Sequence, residues 1–203
     1  DRKLADTLEV WDENIVKTGS RIIMKRQAFI KRMGVIAQGK HEVLTNGRED
    51  LRIRYMPSFR IKSSEKKEDI EGEFYKILEK NRDREICKGV TMYGPHRDDY
   101  DLVLNDMKIR MFGSQGQQRT AVLSVKLAEM EIMREETGEY PVLLLDDVMS
   151  ELDEKRQKYL FDNLKDIQAL ITCTDKSIFS GIDSGSCSYY KVQKGEITGE
   201  NNK

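Results

Sequence analysis

The chain has 203 residues, 35 Lys and Arg against 36 Asp and Glu, and a formal net charge of −1, a balance that excludes a generically basic nucleic-acid binder. Hydrophobic residues make up 38% and charged residues 35%, which suffices for one good core with an appendage. No apolar run approaches the ~20 residues of a membrane-spanning helix and no leader peptide is visible, so a cytoplasmic chain without membrane contact is expected. Cys87, Cys173 and Cys187 are odd in number and scattered, without metal-ligand spacing; reduced thiols are expected.

Charge is unevenly spread. Residues 1 to 62 hold 14 Lys and Arg against 8 Asp and Glu, a surplus that leaves the remainder acidic. Residues 1 to about 46 read as a long helix, with Gly19 and Gly34 as weak points. Leu4, Leu8, Trp11, Ile15, Ile22, Phe29, Met33 and Ile36 fall on one helical stripe. Lys17, Arg21, Lys25 and Arg32 form a second stripe beside it, either a solvated flank or a track for a phosphate backbone. Gly34 to His41 nearly matches a phosphate cradle. It ends in His41, where a magnesium-binding hydroxyl belongs, and it follows a charged helical stretch instead of an apolar strand, so a glycine-marked helix end is preferred.

Leu51 to Phe59 alternates like a strand and ends near Pro57. Ser63 to about Cys87 reads as a charged helix with Ile70, Phe74 and Ile77 as its apolar face. Together these segments suggest a short antiparallel helical arm and its root. From Gly89 strands are expected: Val90 to Tyr93, then Asp101 to Asn105 and Lys108 to Phe112 as a hairpin about Asn105-Asp106. A helix after Ser114, a strand at Val142 to Leu145, a helix from about Glu151 to Leu164 and a strand at Ala169 to Cys173 make an α/β layer. Ser186 to Lys194 with Ile197 suggest a closing hairpin before a loose tail, Gly199 to Lys203.

Chemistry concentrates in three places. Ser114-Gln115-Gly116-Gln117 opens a helix whose unpaired N–H groups and partial positive charge favour an anion; Ser114 can cap it, and Gly116 lets backbone approach a phosphate. The apolar run Val142-Leu143-Leu144-Leu145 ends in Asp146-Asp147, the form of a buried strand that delivers carboxylates to Mg²⁺ and to a water, though it could also enter a solvated turn. Ser150-Glu151-Leu152-Asp153 follows directly, and Asp153 could equally be a helix-start aspartate. His96-Arg97-Asp98 could pair charges internally.

Ser-x-Gly-Gln before a helix, an apolar strand ending in Asp-Asp, and Ser-x-Leu-Asp follow the order of signature, Walker B and D-loop in ABC-type ATPases. With Gly94-Pro95-His96-Arg97-Asp98-Asp99, the wording resembles the RecF family of bacterial recombination-repair ATPases, over about Tyr93 to Asp175. Residues 1 to 92 match only in general character. The resemblance implies an α/β fold: the C-terminal lobe of an ABC/SMC-type P-loop ATPase head, with a helical arm at 1 to 88 and the head at 89 to 203. It implies that Ser114, Gln115, Gly116 and Gln117 contact the γ-phosphate of an ATP held by a second subunit. Asp146 would hold Mg²⁺, Asp147 would be the base or water-orienting residue, and Asp153 would communicate across the dimer. Thr174 would stand where many relatives carry a switch histidine. Gln115 replaces the glycine of the transporter form. Asp147 replaces the usual glutamate and is one methylene shorter; misplacement by about 1 Å can cost about a hundredfold in rate, so slow turnover is expected.

The family carries its phosphate cradle near the N-terminus, and residue 1 here is aspartate. A C-terminal portion holding half a site is therefore expected, with negligible ATPase activity alone. By resemblance, the intact protein binds ATP, dimerises on it, engages single-stranded and gapped duplex DNA, and works with RecR-like and RecA-like proteins. Two alternatives stand beside this: an ATPase subunit of an ABC transporter, and a non-catalytic DNA- or protein-binding module on the same fold.

Overall fold

The computed structural model describes residues 2–61, 66–164, 166–174 and 187–200, without the side chains of 2–6, 151 and 200. The side chain of Leu4 in the predicted stripe, the helix start at Ser63, Asp175, Ser186 and the tail residues Asn201 to Lys203 therefore lie outside the described set. The chain forms two compact units, Asp1–Glu139 and Tyr140–Lys203. The division falls between Glu139 and Tyr140, whereas the sequence suggested one between residues 88 and 89.

The first unit is built on α1 (Arg2–Thr45), an uninterrupted helix that runs through both Gly19 and Gly34. Its buried face is Val16, Ser20 and Ile23, then Met33, Ala37, His41 and Leu44, each group at three- and four-residue spacing. That face is turned by about 100° from the centre of the predicted stripe, which keeps Met33 in the core and Ile15 and Ile36 packed at its margin. Trp11 is 68% exposed, and Ile22 and Phe29 are exposed as well. The packed face mixes large apolar residues (Val16, Ile23, Met33 and Leu44) with small or polar ones (Ser20, Ala37 and His41).

β1 (Leu51–Met56) pairs antiparallel with β2 (Asp99–Leu104) from Leu51↔Leu104 to Met56↔Asp99. This ladder joins residues on both sides of the predicted boundary, so the arm's root and the following strand share one sheet. A two-residue turn at Asn105 and Asp106, both at positive φ, leads to β3 (Met107–Lys108). The turn was legible, but the second strand is only two residues long. Ile109–Phe112, predicted as its continuation, is a short helix, α3, closed by the Gly113 N–H donating to the Ile109 carbonyl at 2.8 Å. Ile109 is buried in the core, which rewards the change of course. α4 (Gln115–Thr137) then packs along α1. Met33, Ala37, Leu51, Leu104, Ile109, Ala121, Ala128 and Ile132 make this core.

A second cluster joins α1 to α2 (Lys67–Lys88): Val16, Ile23, Phe59, Ile70, Phe74 and Leu78. Arg82 pairs with Asp12 at 2.9 Å, and Gly19 lies against Phe74, so the two helices run antiparallel as expected for the arm. Phe74 stacks on Phe59 with ring centroids 4.8 Å apart. Val90 to Tyr93 is not a strand. It is folded back instead, with the Met92 N–H donating to the Glu85 carboxylate at 2.6 Å.

The Gly94 to Asp98 segment, expected to pair charges internally, is tied instead to β1 and the residues just after it. Asp98 has a fully buried side chain and accepts from the Tyr55 hydroxyl and from the Ser58 N–H at 2.7 Å. Gly94 N–H donates to Ser58 Oγ at 2.9 Å. Burial, and then the Asp98 carboxylate, push the Tyr55 hydroxyl well above the usual tyrosine range.

In the second unit β4 (Leu143–Asp146) pairs in parallel with β5 (Ala169–Thr172), with Leu143 opposite Ala169 and Asp146 opposite Thr172. α5 (Glu154–Asn163) supplies the crossover that a parallel pair requires. β6 (Tyr189–Gln193) and β7 (Glu196–Glu200) form the closing hairpin about Lys194 and Gly195. The fold is α/β, as the sequence indicated. Cys87, Cys173 and Cys187 are free thiols, and among the described residues no helix is long and apolar enough to cross a membrane.

Candidate functional site

Ser114 stands at the N-cap of α4 in extended conformation. Its hydroxyl accepts from the Gln117 N–H at 3.3 Å, and the Gln117 side-chain oxygen accepts from the Ser114 N–H at 2.9 Å. This is a capping box, and it satisfies two otherwise unpaired donors. Because Ser114 Oγ is an acceptor in that bond, its own proton is left to donate outward. Ser114, Gln115 and Gly116 are all exposed. A Cβ built on Gly116 meets nothing within 4 Å, so the backbone there is open to a close-approaching ligand. The loop is held from behind at Gly113, whose N–H is bonded to Ile109 and whose carbonyl accepts from Gln118 Nε2 at 3.0 Å.

Two residues that sequence reasoning missed back this loop. Gln117 Nε2 donates to Glu49 Oε1 at 2.9 Å, and Glu49 Oε2 lies 3.1 Å from Nε2 of the fully buried His41. His41 had figured only as the faulty last residue of a rejected cradle. The structure puts Gly34 to His41 wholly inside α1.

The acid pair lies in the second unit, at the end of β4. Asp146 is exposed, and its Oδ1 accepts from the Thr172 hydroxyl at 2.5 Å. Thr172 Oγ1 in turn accepts from the Asp147 N–H at 3.0 Å. One threonine on the neighbouring strand thus fixes both acids, a partner set by strand register. Asp147 has φ 51°, the left-handed region that a side chain enters at some cost, although Asp tolerates it better than most. Its carbonyl accepts from Ser150 Oγ at 2.9 Å. Asp153 is the N-cap of α5, accepting from the Arg156 N–H at 2.9 Å and pairing with the Arg156 guanidinium. Thr174 is exposed just beyond β5.

Among the described residues no cluster of three or more His, Cys, Asp and Glu could hold a metal ion. The donors at the β4 end, Asp146, Asp147 and Thr172, are all oxygen. That suits Mg²⁺, a hard cation usually held by one or two carboxylates with the remaining positions left to phosphate and water.

In the basic stripe, Lys17, Arg21 and Lys25 are exposed and make no ion pair among the described residues. Arg32 differs. Its guanidinium pairs with Glu135 and, at 2.9 Å, with Glu136, which raises its pKa further.

No family model matches the chain. It is 49% identical over 194 residues to the DNA replication and repair protein RecF of Acetivibrio thermocellus, covering 96% of this chain and 53% of the relative. The RecF of Ruminiclostridium cellulolyticum is 44% identical, again over 96% of this chain and 52% of the relative. Among solved structures, the recombination mediator protein RecF-ATP in the RecFOR pathway superposes with a TM-score of 0.83 at 36% identity, covering 97% of this chain and 51% of that one. The RecF-ATPrS structure gives 0.82 at 36% identity, over 96% and 50%. The fold is that of one part of the RecF ATPase, and the chain spans about half the length of the curated relatives it matches. By sequence and fold alike, this chain belongs to the RecF family.

Proposed function

We propose that this chain supplies the signature loop and the strand-end acids of an ATP-dependent recombination-repair protein that dimerises on ATP. The observation that carries the reading is the capped, open first turn of α4: an outward-facing Ser114 hydroxyl, unpaired first-turn N–H groups and an unobstructed Gly116. That surface suits a terminal phosphate, and the partial positive charge of the helix end adds to it. Gln115 and Gln117 flank it, the first exposed and the second fixing the Ser114 backbone.

Asp146 and Asp147 would hold Mg²⁺ at the β4 end, where the ion would neutralise charge on phosphate oxygens. Asp147 is the residue that orients or deprotonates the attacking water, and its short side chain makes turnover slow. Asp153 reaches across the dimer while capping α5, and Thr174 takes the switch position. Lys17, Arg21 and Lys25 bind the phosphate backbone of single-stranded or gapped DNA; Arg32, paired with Glu135 and Glu136, contributes little. RecR-like and RecA-like proteins are the partners, in the cytoplasm. The likeness to the RecF-ATP structure supports the nucleotide.

The test is Ser114→Arg in the intact protein. Loss of ATP-dependent dimerisation in sedimentation velocity, with an unchanged unfolding midpoint, is the expected result. Normal dimerisation with ATP would remove the basis of the assignment.

A further inference from the structure

The polar chain behind the loop has a defined direction. Ser124 Oγ donates to the Thr120 carbonyl at 2.8 Å, so toward His41 Nδ1, 3.0 Å away, it can only accept. Nδ1 therefore carries a proton. At the other edge of the ring, Nε2 and Glu49 Oε2 are 3.1 Å apart, and two bare lone pairs would repel there, so a second proton lies between them. Glu49 Oε1 accepts from Gln117 Nε2, and Gln117 Oε1 accepts from the Ser114 N–H. The Gln117 carboxamide has one orientation that satisfies both contacts, and a flip would set donor on donor and acceptor on acceptor. His41 is fully buried and the Glu49 side chain is 20% exposed, so this order is held away from bulk water.

We infer that Glu49 and His41 are positioning residues for ATP-driven assembly: they lock Gln117, and through it the Ser114 cap, in the geometry that meets a phosphate. The inference rests on the reading of the Ser114 loop given above. It adds that α1, through His41, and the segment just after it, through Glu49, are part of what makes the loop competent. A capping box needs only residues within one turn; this one is also tied to a side chain 68 residues away. Such a tether is unnecessary for helix stability alone, since Ser-x-x-Gln caps unaided.

The experiment separates capping from tethering. Glu at the position of Gln117 still completes a capping box, but it presents a carboxylate to Glu49. In the intact protein, Gln117→Glu and Glu49→Ala are each expected to weaken dimerisation with ATP and Mg²⁺ roughly tenfold to a hundredfold, the range for losing a hydrogen bond to a charged group. Because both break the same bond, Gln117→Glu and Glu49→Ala combined should weaken dimerisation by no more than about threefold beyond the more damaging of the two. Two independent injuries would multiply instead. If Ser114→Arg abolishes dimerisation while Gln117→Glu and Glu49→Ala do not weaken it, the tether is irrelevant and the loop reading stands. Losses that multiply in the double variant also overturn the inference. If Ser114→Arg itself dimerises normally, the loop reading fails and takes the inference with it.

Discussion

Two glycines in the same helix are expected to respond to alanine with opposite signs. Replacing a mid-helix glycine by alanine gains about 1 kcal/mol in helix propensity. At Gly34 nothing opposes that gain, because an added Cβ would come no closer than 4.0 Å to Ile53 Cβ. At Gly19 the same atom would lie 2.7 Å from Phe74 Cε1 and 3.2 Å from Pro95 Cδ. Phe74 cannot simply swing aside. It is fully buried and stacked on Phe59, and a Cβ built on Gly94 would approach its Cζ at 3.0 Å from another side. Overpacking of this kind costs roughly 1–3 kcal/mol, so Gly19→Ala should end between neutral and about 2 kcal/mol destabilised. Gly34→Ala should end about 1 kcal/mol stabilised. Urea unfolding followed by circular dichroism reads the difference directly. With a slope of roughly 2 kcal/mol/M, the two midpoints should part by about 0.5–1.5 M. If Gly19→Ala raised the midpoint as far as Gly34→Ala, the close contact between α1 and α2 would be refuted, and Gly19 would be only a weak point in a helix.

Three further outcomes are expected. Tyr55 is held neutral in the folded state, above the ordinary tyrosine value of about 10, so its contribution is complete below that pH and is lost as pH rises through it; Tyr55→Phe should flatten the alkaline fall in stability, and parallel curves for the two proteins would contradict the assignment. Asp147 sits at φ 51°, so Asp147→Gly should keep the fold within about 1 kcal/mol while Asp147→Ala loses about 1 kcal/mol or more. Both should slow single-turnover ATP hydrolysis by the intact protein by roughly 10²-fold or more, and hydrolysis at the parental rate would exclude Asp147 from catalysis. Replacing Lys17, Arg21 and Lys25 together with alanine should weaken DNA binding and reduce the salt slope by roughly 2–3. Arg32→Ala should leave that slope unchanged, because its charge is already matched by Glu135 and Glu136; equal effects would mean that the stripe acts as a whole.

What could be read from the sequence, and what could not, divides by the distance over which the cause operates. The Ser114 cap was legible because its partner is three residues away, and Ser-x-x-Gln before an apolar helix is a local pattern. The Asn105-Asp106 turn was legible for the same reason: two residues that tolerate positive φ stood between alternating segments. The strand ending in Asp146-Asp147 announced itself by its apolar run, but it is not the buried strand that the run suggested: Leu144 is 71% exposed and Leu143 and Leu145 are half-buried. The length of β3 did not announce itself, because it depends on how much of β2 remains opposite it, and only Val103 and Leu104 do. The face of α1 was misjudged by one residue because size was the only available guide. Ser20, Ala37 and His41 read as weak or polar, yet all are fully buried. For His41 the reason is visible only in three dimensions: a buried imidazole costs free energy until its two nitrogens find partners, and those partners, Ser124 and Glu49, stand 83 and 8 residues away. Burying an unpartnered polar group is unfavourable and burying a satisfied one is not, so His41 departs from what its polarity predicts because a network has been assembled around it; Ser20, whose buried Oγ has no hydrogen-bond partner among the described residues, is not explained in this way. Here that network lies directly behind the loop proposed to meet a phosphate, where a positional error of about 1 Å is most costly, and that is the physical reason to look for function in the residues whose burial the sequence did not foretell.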